Sequence, residues 1–518
     1  MSANAAIDAP DAALHGSRKA LTALALALGT FMQVLDTSIA NVSIPTISGN
    51  LGVSSDQGTW VITSFAVANG VSVPLTGWLM QRFGVVRTFV VSVALFTIAS
   101  LLCGVAWSLP SLIMFRVLQG GVSGPMIPGS QALLINVFGP DKRPTALAIW
   151  SVTTLVAPIA GPLLGGYISD NYVWPWIFLI NIPVGAFCTY ICWRNLKSHE
   201  TPTHKLPIDR VGLALLFVWV GALQIMLDKG KDLDWFHSTV IVTLLLVTVI
   251  CFAAWLIWEL TEDHPIVDLS LFKSRSFSLG TIAFCLGYAV FFGNIVLMPL
   301  WLQSYLGYTA TWAGLVSAPS GVTAILMSLL VGRVMRRFDP RALAAASFGL
   351  YAISYFMRAE LTTNASYFAF MLPQLVQGFA MGLFFVAMLA VIFDGLPPNK
   401  IPAASGLSNF LRITAAGFAT SLTTTVWDRR EALHQTRLAD TVSVYSPVFQ
   451  QSLGQMHQLG LNDQRAAGAM TQALVGQSYL LSSLDIFYFS AWLCVAMIPL
   501  CFLVRRPAPT GAVAVAAD

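Results

Sequence analysis

Charge is what this chain lacks most: only 10% of its 518 residues are Asp, Glu, Lys or Arg, against about 25% in soluble globular domains. With 56% of the residues apolar, a water-soluble fold is excluded. Catalytic signatures are missing as well. The sequence contains no HExxH, no GxSxG, no phosphate-binding loop and no paired metal ligands, so ATP hydrolysis and zinc or serine hydrolysis have no residues to carry them. The seven histidines (His15, His199, His204, His237, His264, His434 and His457) are scattered, none clearly in mid-span. Cysteine is sparse, and all seven (Cys103, Cys188, Cys192, Cys251, Cys285, Cys494 and Cys501) lie in apolar runs, which implies neither a disulfide framework nor a zinc site. No metal and no cofactor is expected. A net charge of +4 points to no nucleic-acid partner.

What the chain has instead is long, continuous apolar runs. A β-barrel would alternate apolar and polar residues, so these runs read as helices in a lipid bilayer. Windows of about 19 residues give fourteen spans: 21–45, 58–80, 88–107, 110–137, 144–168, 174–195, 211–228, 237–259, 276–303, 311–332, 341–360, 366–393, 401–427 and 482–504. Arg18 and Lys19 precede an apolar run too long for a signal peptide and without a clear cleavage site, so residues 1–20 read as a cytoplasmic tail. Threaded that way, the inside segments hold nineteen of the 28 basic residues and the outside segments seven, Arg358 among them. This positive-inside bias supports fourteen helices with both ends, including the tail 507–518, in the cytoplasm. Arg116 and Arg412 fall within spans.

An internal repeat is visible. Leu51-Gly52, Gly77, Met80, Arg82 and Phe83 recur 255 positions later as Leu306-Gly307, Gly332, Met335, Arg337 and Phe338; Gln119-Gly120 recurs as Gln377-Gly378 and Gly161 as Gly417. Residues 21–200 and 266–506 therefore read as related six-helix halves, with 201–265 an inserted pair. Two such halves are a transporter plan with a substrate site near the midplane. Residues 428–480 are the one long extramembrane segment. Apolar residues recur there at helical spacing, which suggests a helical element able to dock a partner, or a mobile cover.

Chemistry-bearing residues stand out against this background. Asp36 is a lone acid in the first span. Burying it is costly, so it faces a water-filled cavity or a partner; otherwise it lies near a helix end, Pro45 being nine residues on. Arg116, on a helix followed by Gln119, Gly120, Gly121 and Gly124, is a cation near small residues that permit close helix approach. Pro158, Gly161, Pro162, Gly165 and Gly166 form a kinked, glycine-lined stretch suited to packing, to gating or to both. Gly77, Arg82 and Gly84 punctuate the turn between the second and third spans. Asp228 belongs either to a solvated outer turn beside Trp235 or to a second protonatable site. Arg412 faces a cavity or snorkels to the surface. Gln33, Asn41, Asn69, Gln131, Asn294, Gln374 and Asn409 lie within spans, either lining a cavity or bonding a neighbouring helix.

The motifs Gly77 to Arg87, Arg116 to Gly121 and Pro158 to Gly166, together with LDTSIANVSIP from Leu35 and Pro175-Trp176-Ile177-Phe178, resemble the major facilitator superfamily. The match extends from about Leu21 to Arg506 and is specifically to the fourteen-helix drug:proton antiporter branch; the run from Gln33 to Phe65, Pro175 to Phe178 and DKGKDLDWF from Asp228 resemble its EmrB type. The resemblance implies an all-α polytopic fold of two six-helix halves plus two inserted helices. It also implies proton-coupled export of hydrophobic or amphiphilic toxic compounds and drugs across the bacterial inner membrane. The expected partners are a periplasmic adaptor of the EmrA type and an outer-membrane channel of the TolC type. One departure stands out: the family's turn motif carries an acid where this chain has Gln81, so the role proposed for that acid does not transfer. The competing reading is a proton-coupled importer or facilitator of one small solute.

Overall fold

The computed structural model describes residues 16–139, 142–203, 207–295, 297–335, 337–363, 365–441, 446–458 and 462–504. The two expected tails therefore fall largely or wholly outside the described residues. Every described regular element is helical, as a bilayer demands of a non-barrel chain: each backbone N–H and C=O must find its partner within its own segment.

The chain divides into two compact units, one of residues 1–217, 253–269 and 396–409, the other of 218–252, 270–395 and 410–518. The first holds α1 (Gly16–Leu51), α2 (Ser55–Gly58), α3 (Trp60–Ser72), α4 (Thr76–Phe83), α5 (Val85–Gly104), α6 (Leu109–Ser123), α7 (Met126–Phe138), α8 (Arg143–Asn171), α9 (Trp176–Leu179) and α10 (Asn181–Leu196). Two further helices, α11 (Arg210–Lys229) and α12 (Thr239–Thr261), contribute residues to both units. The second unit holds α13 (Arg275–Ile295), α14 (Leu297–Tyr305), α15 (Ala310–Val334), α16 (Pro340–Ala359), α17 (Tyr367–Ile392), most of α18 (Ile401–Thr441), α19 (Pro447–Gln458) and α20 (Asp463–Leu503).

Each of the fourteen predicted spans falls on helix. Among the described residues, nine helices are long and apolar enough to cross a membrane, or ten if the pair α3 and α4, bent by 56°, counts as one. The breaks were not predicted. The span 58–80 divides at Val73–Leu75 and the span 110–137 at Gly124-Pro125. In the opposite sense α1 continues through Pro45 to Leu51, so the helix does not stop where the proline suggested. At 1.5 Å per residue the 41 residues of α18 and of α20 each reach about 60 Å, twice the hydrocarbon thickness. The 428–480 segment is accordingly helical: the ends of these two helices with α19 between them, its joints at 442–445 and 459–461 lying outside the described residues.

The internal repeat reappears in the packing. Within the first unit the pairs α3 with α6, α5 with α6, α5 with α10 and α1 with α10 pack together; within the second, their counterparts α15 with α17, α16 with α17, α16 with α20 and α13 with α20 do the same. Helix α5 shows how the sequence chooses a face. Val91, Leu95 and Ile98 are exposed, at the spacing of one helix stripe, whereas Phe89, Val93, Phe96, Ser100 and Cys103 are buried. The apolar stripe suits lipid, and the polar hydroxyl turns inward where it can be bonded.

Candidate functional site

Asp36 and Arg116 meet inside the first unit. Arg116 Nη1 lies 2.6 Å from Asp36 Oδ2, and both side chains are wholly out of solvent. That settles the alternative left open for Asp36: it sits mid-helix with a partner rather than at a wet end. The surroundings are apolar, a cluster of Leu35, Ile39, Val61, Leu112, Phe115 and Phe178, in which an ion pair depends on further hydrogen bonds to its remaining donors and acceptors.

Four helices meet all of them except Arg116 Nη2, which has no hydrogen-bond partner among the described residues. Asp36 Oδ1 accepts from Asn181 Nδ2 on α10 (2.8 Å) and from Gln119 Nε2 on α6 (3.2 Å). Gln119 in turn accepts from Arg116 Nη1 at 2.7 Å and donates to Ser100 on α5 at 2.7 Å, and Asn181 reaches the same hydroxyl at 3.1 Å. Arg116 Nε donates to the carbonyl of Val61 on α3 at 3.0 Å, and the guanidinium stacks 4.3 Å from the Phe65 ring. A single charge pair thus ties α1, α3, α5, α6 and α10 together. Sequence reading found Asp36, Arg116 and Gln119 but missed Asn181 and Ser100. Asn181 follows the Pro175 to Phe178 motif closely, which was the available signal.

The predicted glycines work by close approach. A Cβ on Gly120 would stand 2.5 Å from the Phe65 carbonyl oxygen, one on Gly161 2.2 Å from Ser38 Oγ, and one on Gly165 3.3 Å from the Ile39 carbonyl oxygen. Ser38 also donates to the Pro158 carbonyl at 3.2 Å, so α1 and α8 lie almost backbone to backbone at the proline. The Pro162 side chain lies outside the described residues. Gly77 approaches Ala403 equally tightly, at 3.0 Å to its Cα. Gly84 adopts φ +90°, and the backbone amides of Val86 and Arg87 just beyond it donate to the Glu200 carboxylate at 2.9 and 2.8 Å. The turn motif, lacking an acid at Gln81, is therefore held by an acid from the end of the first repeat. Arg82 rests over Trp78 and Phe83.

The cavity candidates divide. Gln131 is buried and accepts from Asn409 Nδ2 (3.2 Å) and from Ser405 Oγ. Asn69 donates to Ser123 at 2.7 Å, and Asn294 to Val290 at 2.7 Å and Ser490 at 2.9 Å. Gln33 is buried. Asn41 is exposed, because Gln33, Asp36, Ala40 and Ser43 form the inward face of α1 and Asn41 projects away from it. Asp228 is exposed at the end of α11, next to a turn where Lys231 pairs with Asp428 at 2.9 Å, an arrangement that favours the solvated turn. Arg412 is buried with its guanidinium 4.2 Å over Tyr288 and near Phe284 and Phe385, so it does not snorkel.

Arg358 corrects an expectation. It was assigned to an outside segment, yet it is 1% exposed. Its Nη2 donates to Gln374 at 2.9 Å and to Gln377. Gln374 thus belongs to a second polar cluster, one that the sequence did not reveal.

A chain of membrane-length apolar helices in two units of repeated pairing, with one charge pair locked at the centre of a unit, is a polytopic membrane protein of transporter type. The pattern of the Major Facilitator Superfamily matches residues 26–420, and the chain belongs to that superfamily. It is 48% identical over 499 residues to the multidrug export protein EmrB of Escherichia coli K12, covering 96% of this chain and 98% of that one. It is 45% identical over 498 residues to the fatty acid resistance protein FarB of Neisseria gonorrhoeae, covering 96% and 98%. Among solved structures, the crystal structure of the human organic anion transporter MFSD10 shares the fold at 12% identity, with a TM-score of 0.57 over 92% of this chain and 99% of that one.

Proposed function

We propose that this protein exports hydrophobic and amphiphilic toxic compounds across the bacterial inner membrane in exchange for protons. In this reading both termini lie in the cytoplasm, and the chain is the inner-membrane part of a pump completed by a periplasmic adaptor of the EmrA type and an outer-membrane channel of the TolC type. Multidrug export by its relative of 48% identity supports the cargo class. One observation carries the coupling: the Asp36–Arg116 pair is fully buried, and five helices depend on it.

Protonating Asp36 removes the charge that Arg116 faces and weakens the bonds from Gln119 and Asn181 with it, since hydrogen bonds to an ionised acceptor are about twice as strong as neutral ones. The bound proton is thereby read out by α5, α6 and α10 together. Each proton entering down a 100 mV potential supplies about 2.3 kcal/mol, and one pH unit adds about 1.4, enough to bias a two-state exchange. Alternating access then couples that exchange to cargo.

The test is Asp36→Asn in proteoliposomes. Dye efflux driven by an imposed proton gradient is expected to vanish, while dye binding persists. Gradient-driven efflux at the wild-type rate in this variant would remove Asp36 from the mechanism.

A further inference from the structure

Two further carboxylates are buried where the inserted helices begin and end. Asp209 immediately precedes α11, and Glu259 lies in the last turn of α12; they are 9% and 3% exposed. Both face Gly212. A Cβ there would stand 2.1 Å from Asp209 Oδ2 and 3.2 Å from Glu259 Oε1, so the bare glycine is what leaves room for the two acids to approach each other.

The two acids are not equally provided for. Asp209 caps α11: its Oδ1 accepts the Gly212 amide at 2.9 Å, and both its oxygens accept from Trp258 Nε1 at 3.0 Å. Donors on both oxygens at the positive end of a helix suit a charged carboxylate. Glu259 has less. Its Oε2 accepts the Val267 amide at 3.3 Å, while its Oε1 has no hydrogen-bond partner among the described residues; the Trp255 indole and the Ile266 amide stand near the same carboxyl. Among the described residues Asp209 is the charged group that bears on Glu259: Arg210, Asp263 and His264 are exposed, Glu262 is half-buried, and Asp268 pairs with Lys400 at 3.1 Å. Two like charges side by side at this depth are costly, and so is an acceptor left without a donor. One proton on Glu259 Oε1 removes both costs, because it cancels one charge and turns the unpaired acceptor into a donor on the side of Asp209.

We propose that Asp209 and Glu259 hold one proton between them, carried on Glu259 Oε1, and that this proton-binding site latches the segment 262–268 to the end of α12. With the proton in place, Glu259 keeps its bond to Val267. Without it the two carboxylates repel, and Glu259 is the one that moves, since Asp209 is fixed by its cap. The released segment has a position of consequence. Ile266, Val267 and Asp268 form one wall of a cavity of about 210 Å³ whose other walls include Gly77 and Trp78 of the turn motif and Ala403 of α18. Asp268 also holds Lys400, the residue before α18 begins. The wall of that cavity is thus held in acid and loosened in alkali. The site stands apart from the export reading and from Asp36.

The experiment is an infrared titration of the full-length protein in nanodiscs with no gradient, reading the C=O stretch that a carboxylic acid has and a carboxylate lacks. Wild type minus Glu259→Gln isolates the Glu259 band, which is expected at neutral pH and should fade on alkalinisation. Asp209→Asn keeps a good helix cap but removes the neighbouring charge. Measured against Asp209→Asn/Glu259→Gln, its band should fade at a pH at least about one unit lower, a tenfold loss of proton affinity. Hydrogen exchange at the Val267 amide reads the latch. It should be equal in wild type and Glu259→Gln in acid and several-fold faster in the wild type in alkali, the comparison at each pH cancelling the intrinsic rate. Absence of a Glu259 band at every pH overturns the proposal, as does a band whose fading Asp209→Asn does not move; a merely structural acid would give either result. Exchange that matches at every pH overturns the latch. If Glu259→Gln fails to fold, the wild-type and Asp209→Asn titrations compared directly still decide. None of these measurements involves transport, so a failure of the export reading leaves them untouched.

Discussion

Gln119 bridges the two charges of the buried pair: its carbonyl oxygen accepts from Arg116 at 2.7 Å while its amide nitrogen donates to Asp36 at 3.2 Å. The amide fits only one way round, with its dipole aligned to the field of the ion pair. Gln119 is therefore set by the two charges and also holds them in register. In the second unit Gln377 likewise accepts from a guanidinium, that of Arg358, which has no carboxylate within ion-pair distance among the described residues.

Removing one member of the pair should be far worse than removing both. Arg116→Gln leaves a carboxylate buried without its cation, at a cost of roughly 3 to 5 kcal/mol, and Asp36→Asn leaves the cation in the same position. The double variant Asp36→Asn/Arg116→Gln has only neutral amides to satisfy and should recover most of that loss. Unfolding midpoints of the four proteins in detergent give the coupling energy; strict additivity would mean that the pair is not a unit.

Neighbouring glycines on α6 should respond in opposite senses. Gly120→Ala drives a methyl group to 2.5 Å from the Phe65 carbonyl oxygen, an overpacking that costs about 1 to 3 kcal/mol. Gly121→Ala meets nothing within 4 Å and should gain up to about 1 kcal/mol from helix propensity. Thermal unfolding of the two variants side by side checks the sign of each.

Much of this site was legible because a charge inside an apolar run announces itself; Asp36, Arg116 and Arg412 were found that way. Asn181 and Ser100 were not, since short neutral polar side chains are common in membrane helices and become informative only when a charge is placed beside them. Arg358 was misplaced for a geometric reason. It lies in the last turn of α16, one residue before the helix ends and two before the exposed Glu360, where a hydropathy window sees an interface. A helical side chain leans toward the N-terminus of its helix, so its guanidinium reaches back among Tyr355, Gln374 and Phe487. The fourteen apolar segments were read correctly as helix, but the breaks at Val73–Leu75 and Gly124-Pro125 were not, and Pro45, which looked like a stop, lies inside α1.

Glu431 supplies a pH-dependent contribution to stability. It lies on α18 beyond the predicted span ending at 427, and burial, then the charge of Asp428, hold its carboxyl above the ordinary range. The folded state thus binds this proton more tightly than the unfolded chain does, so stability is fully present below the ordinary carboxylate range and falls as the pH rises through and above it. Glu431→Gln should raise the unfolding temperature at neutral pH, with the gain shrinking to nothing as the solution is acidified. A gain independent of pH would assign the effect to packing.

The turn between α4 and α5 offers a test of how an acid remote in sequence does local work. Glu200 accepts the first amides of α5, from Val86 and Arg87, and Thr201 Oγ1 accepts that of Val85 at 3.1 Å. These are N–H groups that the helix itself cannot satisfy, at the end where a negative charge is favoured. Glu200→Ala should cost about 1 kcal/mol, the usual value of a lost cap. Gly84→Ala should cost more, for two separate reasons: φ +90° strains any side chain, and the new Cβ would stand 2.3 Å from the Glu200 Cδ. Combining them relieves the clash but not the strain, so Gly84→Ala/Glu200→Ala should be less destabilised than the sum of the single variants while remaining below Glu200→Ala. Unfolding midpoints that simply add would show that Glu200 moves aside freely and that the turn is held by its own backbone.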